Sequence, residues 1–338
     1  MRPLTRLYRD KKLFFFFVLG TILPLLFAVV IHLVVGMQLG GYLLSIFEKK
    51  AIDNLELYHT HAKITVQSYL NNSIHVIEGL AQSTNLQSEK NNANSKGIEG
   101  DLRLIMNSNP RFLTVGTMDP KGKVTHILSR KKEVETLLGQ NLSYRDYFTG
   151  TIQTKKTYLG EPTVGLKSKI TQINMCSPAL IKEQISEIVC GFISLEDLTK
   201  NIDITSSFYD KFSILVDKKG TVLVGNVPST GRLVDLRKSE PLLGKLMRST
   251  QQKLIEEEFN FQGDRAFAIG EKITIANRNY FLLSFQNKDG YLSEKRSFAY
   301  TLNKTTVYLI FGWLALCIVF FIILSVVLDR YERHENER

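Results

Sequence analysis

Two stretches of the chain, Leu13 to Met37 and Val307 to Leu328, hold apolar residues without a single charge. A helix rises about 1.5 Å per residue, so roughly 20 apolar residues cross about 30 Å of hydrocarbon. Both stretches are long enough and read as transmembrane helices. Between them the pattern changes twice. Over 42–82 apolar residues recur at three- and four-residue steps (Ile52, Leu55, Ala62, Val66, Tyr69, Val76, Leu80). Glu48, Lys49, Lys50, Glu56 and Lys63 lie on other faces, and the spacing predicts one long helix. Such a stripe packs on its own domain or on a twin helix across a dimer axis. Thr84 to Gly97, rich in Asn, Ser and Gln, reads as a loop, and a short helix over 98–108 stops before Asn109-Pro110.

The apolar period then falls to two. Phe112 to Met118 and Lys123 to Ser129 read as strands joined by the turn Asp119-Pro-Lys-Gly122, and a helix is predicted over Tyr144 to Gln153. Strands over 169–179 and 187–195 enclose Cys176 and Cys190. A second unit starts the same way: a strand Phe212 to Val216, the turn Asp217-Lys-Lys-Gly220, and a strand Thr221 to Gly225. Asp-x-Lys-Gly-x-Val occurs at 119–124 and again at 217–222, which suggests a repeated hairpin module. Ile255 to Phe261, Arg265 to Ile275 and Tyr280 to Gln286 complete a second antiparallel sheet, with turns at Gln262-Gly-Asp264 and Asn277-Arg-Asn279. A last helix from Tyr291 runs toward the second apolar stretch. The predicted class is α+β: a long helix followed by two antiparallel-sheet α/β modules, flanked by transmembrane helices.

Charge sets the orientation. Of the net +10, residues 1–12 carry +4, residues 329–338 carry −1, and the region between carries +7. A basic start before an apolar segment predicts a cytoplasmic N-terminus. The segment is too long for a signal-peptide core and lacks a clean small-x-small site, so it reads as an uncleaved anchor. Two crossings return the C-terminus to the cytoplasm. The expected organisation is a cytoplasmic tail 1–12, a span 13–37 and a long extracytoplasmic helix 38–85. A membrane-distal module 86–200 follows, then a proximal module with connecting helix 201–306, a span 307–328 and a tail 329–338. The expected location is the inner (plasma) membrane with 38–306 outside. The +7 is spread without a basic stripe and interleaved aromatics, so no nucleic-acid partner is expected. Gly36-x-x-x-Gly40 would permit close helix approach, which keeps a homodimer open. Outside the cytoplasm Cys176 and Cys190 either pair across the hairpin or remain two semi-buried thiols.

Enzyme signals are poor. Gly116 to Lys123 superficially looks like a phosphate loop, but the spacing is one residue too long, no Ser or Thr follows Lys123, and the segment reads as a hairpin. His59 and His61, two apart on a helix, face different sides and do not make a metal pair. There is no nucleophile elbow, zinc-protease motif or dinucleotide fingerprint, so no enzyme activity, cofactor or metal is expected. One cluster remains: Tyr144-Arg-Asp-Tyr-Phe148 with Tyr158-Leu-Gly-Glu-Pro162. An arginine among aromatics can clamp a carboxylate between ring walls; equally, Tyr147 and Phe148 can be core while Arg145 pairs with a local acid.

The order of these elements resembles the double Cache extracellular sensor domain of bacterial membrane receptors, with PAS-like modules. The resemblance covers 37–306. It rests on Phe112-Leu-Thr-Val with Asp119-Pro-Lys-Gly122, Tyr144 to Phe148, Ser177-Pro178, and Gly191-Phe-Ile-Ser-Leu195 with Leu198. It implies a small-molecule ligand in the distal module, at Arg145, Tyr147, Phe148, Tyr158 and, near the sheet, Ser177. Amino-acid-binding members use an aspartate late in the distal sheet for the ligand ammonium; Cys190 to Leu195 offers Phe192 and Ser194 and no acid. Where tryptophan commonly follows the arginine, this chain has Tyr147. Both departures count against a standard amino-acid receptor and leave an organic acid compatible with Arg145. Such receptors usually continue into a long output domain, whereas ten residues follow the second span here. The expectation is a separate cytoplasmic or membrane signalling partner, or a shortened form of a longer kinase, cyclase or chemotaxis receptor. A membrane-anchored protein-binding or assembly module without a small ligand is the alternative.

Overall fold

A computed structural model describes residues 23–83, 86, 95–201, 211–225, 241–261 and 264–291, with scattered helical positions from 293 to 330. Most of the predicted 84–97 loop, the 262–263 turn, the connecting helix and both chain ends fall outside the described residues. Ile52–Asp289 forms one compact unit; residues 1–51 and 290–338 form another, in which the Tyr291 hydroxyl donates to the Phe47 carbonyl at 3.2 Å. Among the described residues no helix is long and apolar enough to cross a membrane.

The first helix, α1, runs Leu23–Ala81. From residue 51 its buried positions are Ala51, Leu55, His59, Ala62, Val66, Leu70, Ser73, Ile77 and Ala81, joined by Ile74 and Leu80. Their spacing of four, four and three repeats every 11 residues, which is 3.67 per turn, close enough to the helix's own 3.6 to keep the seam on one side. The predicted stripe shares Leu55, Ala62, Val66 and Leu80 with this seam. Ile52, Tyr69 and Val76 are only half-buried beside it. The polar seam members were missed because tertiary partners satisfy them. The seam packs on the chain's own sheets, and the outward face exposes Leu57 and Ile64.

After α2 (Ser95–Ser108) come β1 (Thr114–Met118), β2 (Val124–Ser129), a short α3 (Lys132–Glu135) and α4 (Asp146–Thr154). They are followed by β3 (Tyr158–Leu159), β4 (Thr163–Val164), β5 (Thr171–Ile181), β6 (Gln184–Ser194) and α5 (Leu195–Asn201). The strands form one antiparallel sheet in the order β2-β1-β6-β5-β3, with β4 also on β5. The second module has β7 (Lys211–Asp217), β8 (Val222–Val224), α6 (Pro241–Arg248), β9 (Lys253–Phe261), β10 (Asp264–Ile275) and β11 (Arg278–Asn287), in the order β8-β7-β11-β10-β9. Position for position, this is the same sheet again.

The repeated turn is the same in both modules. Asp119 Oδ1 accepts the Lys121 and Lys123 amides at 2.9 Å, and Asp217 Oδ1 accepts those of Lys219 and Thr221 at 2.8 Å. Gly122 and Gly220 sit at φ +86° and +82°, where a side chain would be strained. Aspartate closes the turn and glycine permits it, so the sequence motif has a mechanical basis.

The seam of α1, helix α2 and one face of each sheet form a continuous core containing Val66, Ile77, Phe112, Ile173, Met175, Val189, Leu215, Ile273 and Leu282. The opposite faces have separate covers. Leu242, Leu243 and Leu246 of α6 fill the proximal one against Phe281, Leu283 and Phe285; Tyr147 and Phe148 of α4 cover part of the distal one with Met118, Leu142 and Ile188. With layers on both sides, β1 is buried at every residue. Cys176 and Cys190 are directly opposite in β5 and β6 and form a disulfide, with Cα atoms 4.1 Å apart.

Candidate functional site

The distal sheet keeps a small cleft of about 50 Å³ on the face away from α1. Its floor is the outward row of β1 and β6, including Gly116, Met118, Cys190 and Phe192. Val134, Leu137 and Leu142 wall one side, Arg145 and Tyr147 stand at the start of α4, and the segment Thr163–Ser168 closes another side. Phe192 meets Tyr147 edge to face, with ring centroids 5.6 Å apart and planes at 86°. Burial pushes the Tyr147 phenol far above its ordinary value, so it stays neutral.

Arg145 is the last extended residue before α4, at φ −77° and ψ 140°, so its side chain leaves the chain ahead of the helix. Its guanidinium carbon stands 5.2 Å from the Tyr144 ring centroid. Among the described residues it has no carboxylate partner. The acid next to it is engaged elsewhere: Asp146 Oδ2 accepts the Glu161 amide at 2.5 Å and the Arg278 Nη2 donor at 3.1 Å.

Arg278 comes from the tip of the β10–β11 hairpin of the other module. Besides Asp146, it donates through Nε to the Leu159 carbonyl at 2.5 Å and through Nη2 to the Tyr158 hydroxyl at 3.2 Å, and Nη1 lies 3.6 Å from Glu161 Oε1. Its neighbour Asn277 accepts the Leu159 amide through Oδ1 at 2.9 Å. Lys219, in the repeated turn of the proximal module, pairs with Glu161, and that hydrogen bond holds the Glu161 carboxyl below the usual carboxylate range. One turn of the proximal module thus holds the start of α4 at Asp146, and a second holds Glu161, whose amide donates to the same Asp146 carboxylate.

Of the residues singled out in the sequence, Arg145 and Tyr147 line the cleft together. Phe148 is buried in the core beneath it. The Tyr158 ring lies against Gly150 of α4, where an added Cβ would come within 2.5 Å of it, and Arg278 lies over the ring at 5.4 Å. Ser177 accepts from Thr157 Oγ1 at 3.0 Å and faces a separate open groove with Asn71, His75 and Lys156. Ser194 accepts the Asp197 amide at 3.3 Å at the start of α5. The closing segment, with Lys167 and Ser168, was missed because its two-residue strand β4 is too short to show a period. Only the pairing of Thr163 with Gln172 and Val164 with Thr171 brings it over the sheet.

No protein-family model matches the sequence, and neither does any curated protein. Solved structures do match. The ligand-binding domain of the amino acid chemoreceptor PctB from Pseudomonas aeruginosa PAO1, in complex with L-Arg, aligns with a TM-score of 0.56 at 18% identity, over 70% of this chain and 95% of that one. That of the Pseudomonas fluorescens chemoreceptor CtaA, in complex with L-isoleucine, gives 0.54 at 17% over 75% and 98%.

The chain has the double Cache fold.

An extracellular ligand-binding receptor from Desulfohalobium retbaense DSM5692 aligns at 0.58 and 11% identity over 69% of this chain, which spans only 40% of that larger protein. Identities this low speak to the fold alone. Among the described residues the distal module keeps a cleft on the face that α6 packs in the proximal module.

Proposed function

We propose that this chain is a membrane-anchored extracytoplasmic sensor that binds a small carboxylate in its membrane-distal module. The carrying observation is the cleft with Arg145 on its wall and, among the described residues, no carboxylate on that guanidinium. A cation left without a counter-charge beside aromatic walls is an arrangement suited to a bidentate carboxylate.

Anchoring is supported by exposed apolar side chains in both uncharged stretches: Phe27, Val30, Ile31 and Val34 in the first, and Phe311, Leu316, Ile322 and Val326 in the second. Clusters of this kind need an apolar environment. Both termini are then cytoplasmic, at an inner (plasma) membrane. A shift of α1, which continues from the first span along both sheets, is the route by which binding reaches a separate signalling partner. A homodimer would use the outward face of α1 at Leu57 and Ile64.

The test is a thermal-shift screen of organic acids, amino acids and amines on the full-length chain in detergent. A binding carboxylate is expected to raise the melting temperature of the wild type. Arg145→Ala should abolish that rise, and an equal rise in the variant would sink the assignment.

A further inference from the structure

The charges around the cleft are one-sided. Among the described residues two cations, Arg145 and Lys167, line it, and no aspartate or glutamate does. Lys167 is exposed on the closing turn and, like Arg145, has no carboxylate partner among the described residues. Of the acids near in sequence, Glu133 and Glu135 are exposed on either side of the lining residue Val134 and do not themselves line the cleft, and three others are engaged. Asp146 and Glu161 are held by Arg278 and Lys219 of the proximal module, and the Asp119 carboxylate closes its own turn. The remaining polar groups are mostly satisfied within the protein: Thr163 Oγ1 accepts from Asn174 at 2.9 Å, and Gln172 donates to Asn174 Oδ1 at 3.0 Å. Most of the rest of the wall is apolar, including Met118, Ile127, Leu137 and Phe192.

Resting on the carboxylate reading above, we infer that the cleft selects amine-free carboxylates, with Lys167 the residue that disfavours amino acids. A carboxylate gains from both cations. An α-ammonium brought into the same space meets two like charges and no counter-ion, and a desolvated charge without a partner is costly. The apolar wall accepts a hydrocarbon body, so the ligand class is a small aliphatic organic acid. An amino acid with the same skeleton fits by shape and is rejected by charge, a discrimination made by leaving a charge unpaired.

Two matched pairs isolate the amine: 4-methylpentanoate against L-leucine, and glutarate against L-glutamate, titrated calorimetrically into the full-length chain in detergent at neutral pH. The amine-free acid of at least one pair is expected to bind about tenfold or more tightly than its amino acid. Lys167→Glu supplies the missing counter-charge at an exposed position without a partner to lose, and should narrow or reverse that ratio; Arg145→Met should weaken both members. If the amino acids bind as well as the amine-free acids, or the ratio is unchanged in Lys167→Glu, the selectivity inference fails and the carboxylate reading stands. If none of the four binds, both fall.

Discussion

His59 is fully buried at the α1 seam. Its Nε2 lies 3.2 Å from Glu271 Oε2, its Nδ1 lies 2.8 Å from Ser284 Oγ, and Ser213 Oγ is 2.5 Å beyond Ser284. Glu271 also accepts from Lys63 at 2.5 Å. A carboxylate only accepts, so Nε2 carries the proton of the neutral ring, and Nδ1 accepts from Ser284, which in turn accepts from Ser213. Serine, histidine and glutamate have the connectivity of a hydrolytic triad, but neither cleft reaches them. They tie α1 to β7, β10 and β11. Burial, outweighing the attraction of Glu271, lowers the His59 pKa to about 4. A folded pKa below the unfolded 6.5 means that stability is intact above about pH 6.5 and is lost as pH falls toward 4, about 2 kcal/mol of it by pH 5. His59→Gln removes this titration, so the wild type should lose that much more stability than the variant between pH 7.5 and 5 in chemical denaturation. Parallel pH profiles would refute the assignment.

Among the elements, the β10–β11 hairpin tip bears directly on the site. Arg278 is mostly buried and serves Asp146, Tyr158 and the Leu159 carbonyl at once. Arg278→Met should therefore cost about 2 kcal/mol, the scale of charge-assisted hydrogen bonds lost from a part-buried acceptor. Hydrogen exchange should quicken first in β3 and the first turn of α4. Lys219→Met removes a more exposed pair and should cost under about 1 kcal/mol. The nine longer strands of the two modules are legible in the sequence to within a few residues, because alternating apolar residues and the Asp-x-Lys-Gly turn are local signals; the two-residue β3 and β4 are not. The grip of Arg278 on Asp146 was not, since the partners are 132 residues apart. The cross-strand register that joins Cys176 to Cys190 was left open for a similar reason: the hairpin was visible, but which residues oppose one another depends on its loop geometry.

For the molecule as a whole, the shared core matters most. One seam of α1 packs against both sheets, so the two modules of the 52–289 unit should not melt separately. Ile77→Ala, at a fully buried seam position beneath Gly191, is expected to cost about 3 kcal/mol and to lower a single calorimetric transition. Two resolved transitions, with only one shifted, would show that α1 does not couple the sheets.

By itself the sequence determined the class, the order of the longer strands and of the helices α1, α2 and α4, the repeated hairpin, and the candidacy of Arg145 and Tyr147; the helices α3, α5 and α6 and the strands β3 and β4 came only with the structure. Periodicity, turn chemistry and an arginine among aromatics are written within short windows of chain. Only the tertiary structure decided that Phe148, Tyr158 and Ser177 lie away from the cleft that Arg145 and Tyr147 line, that Lys167 closes over it, and that His59 and Ser73 belong to the helix seam. Each of these depends on which residue, tens to hundreds of positions away, supplies the hydrogen bond, the opposite charge or the packing surface. Such long-range pairing is set by the sheet topology and has no local signature.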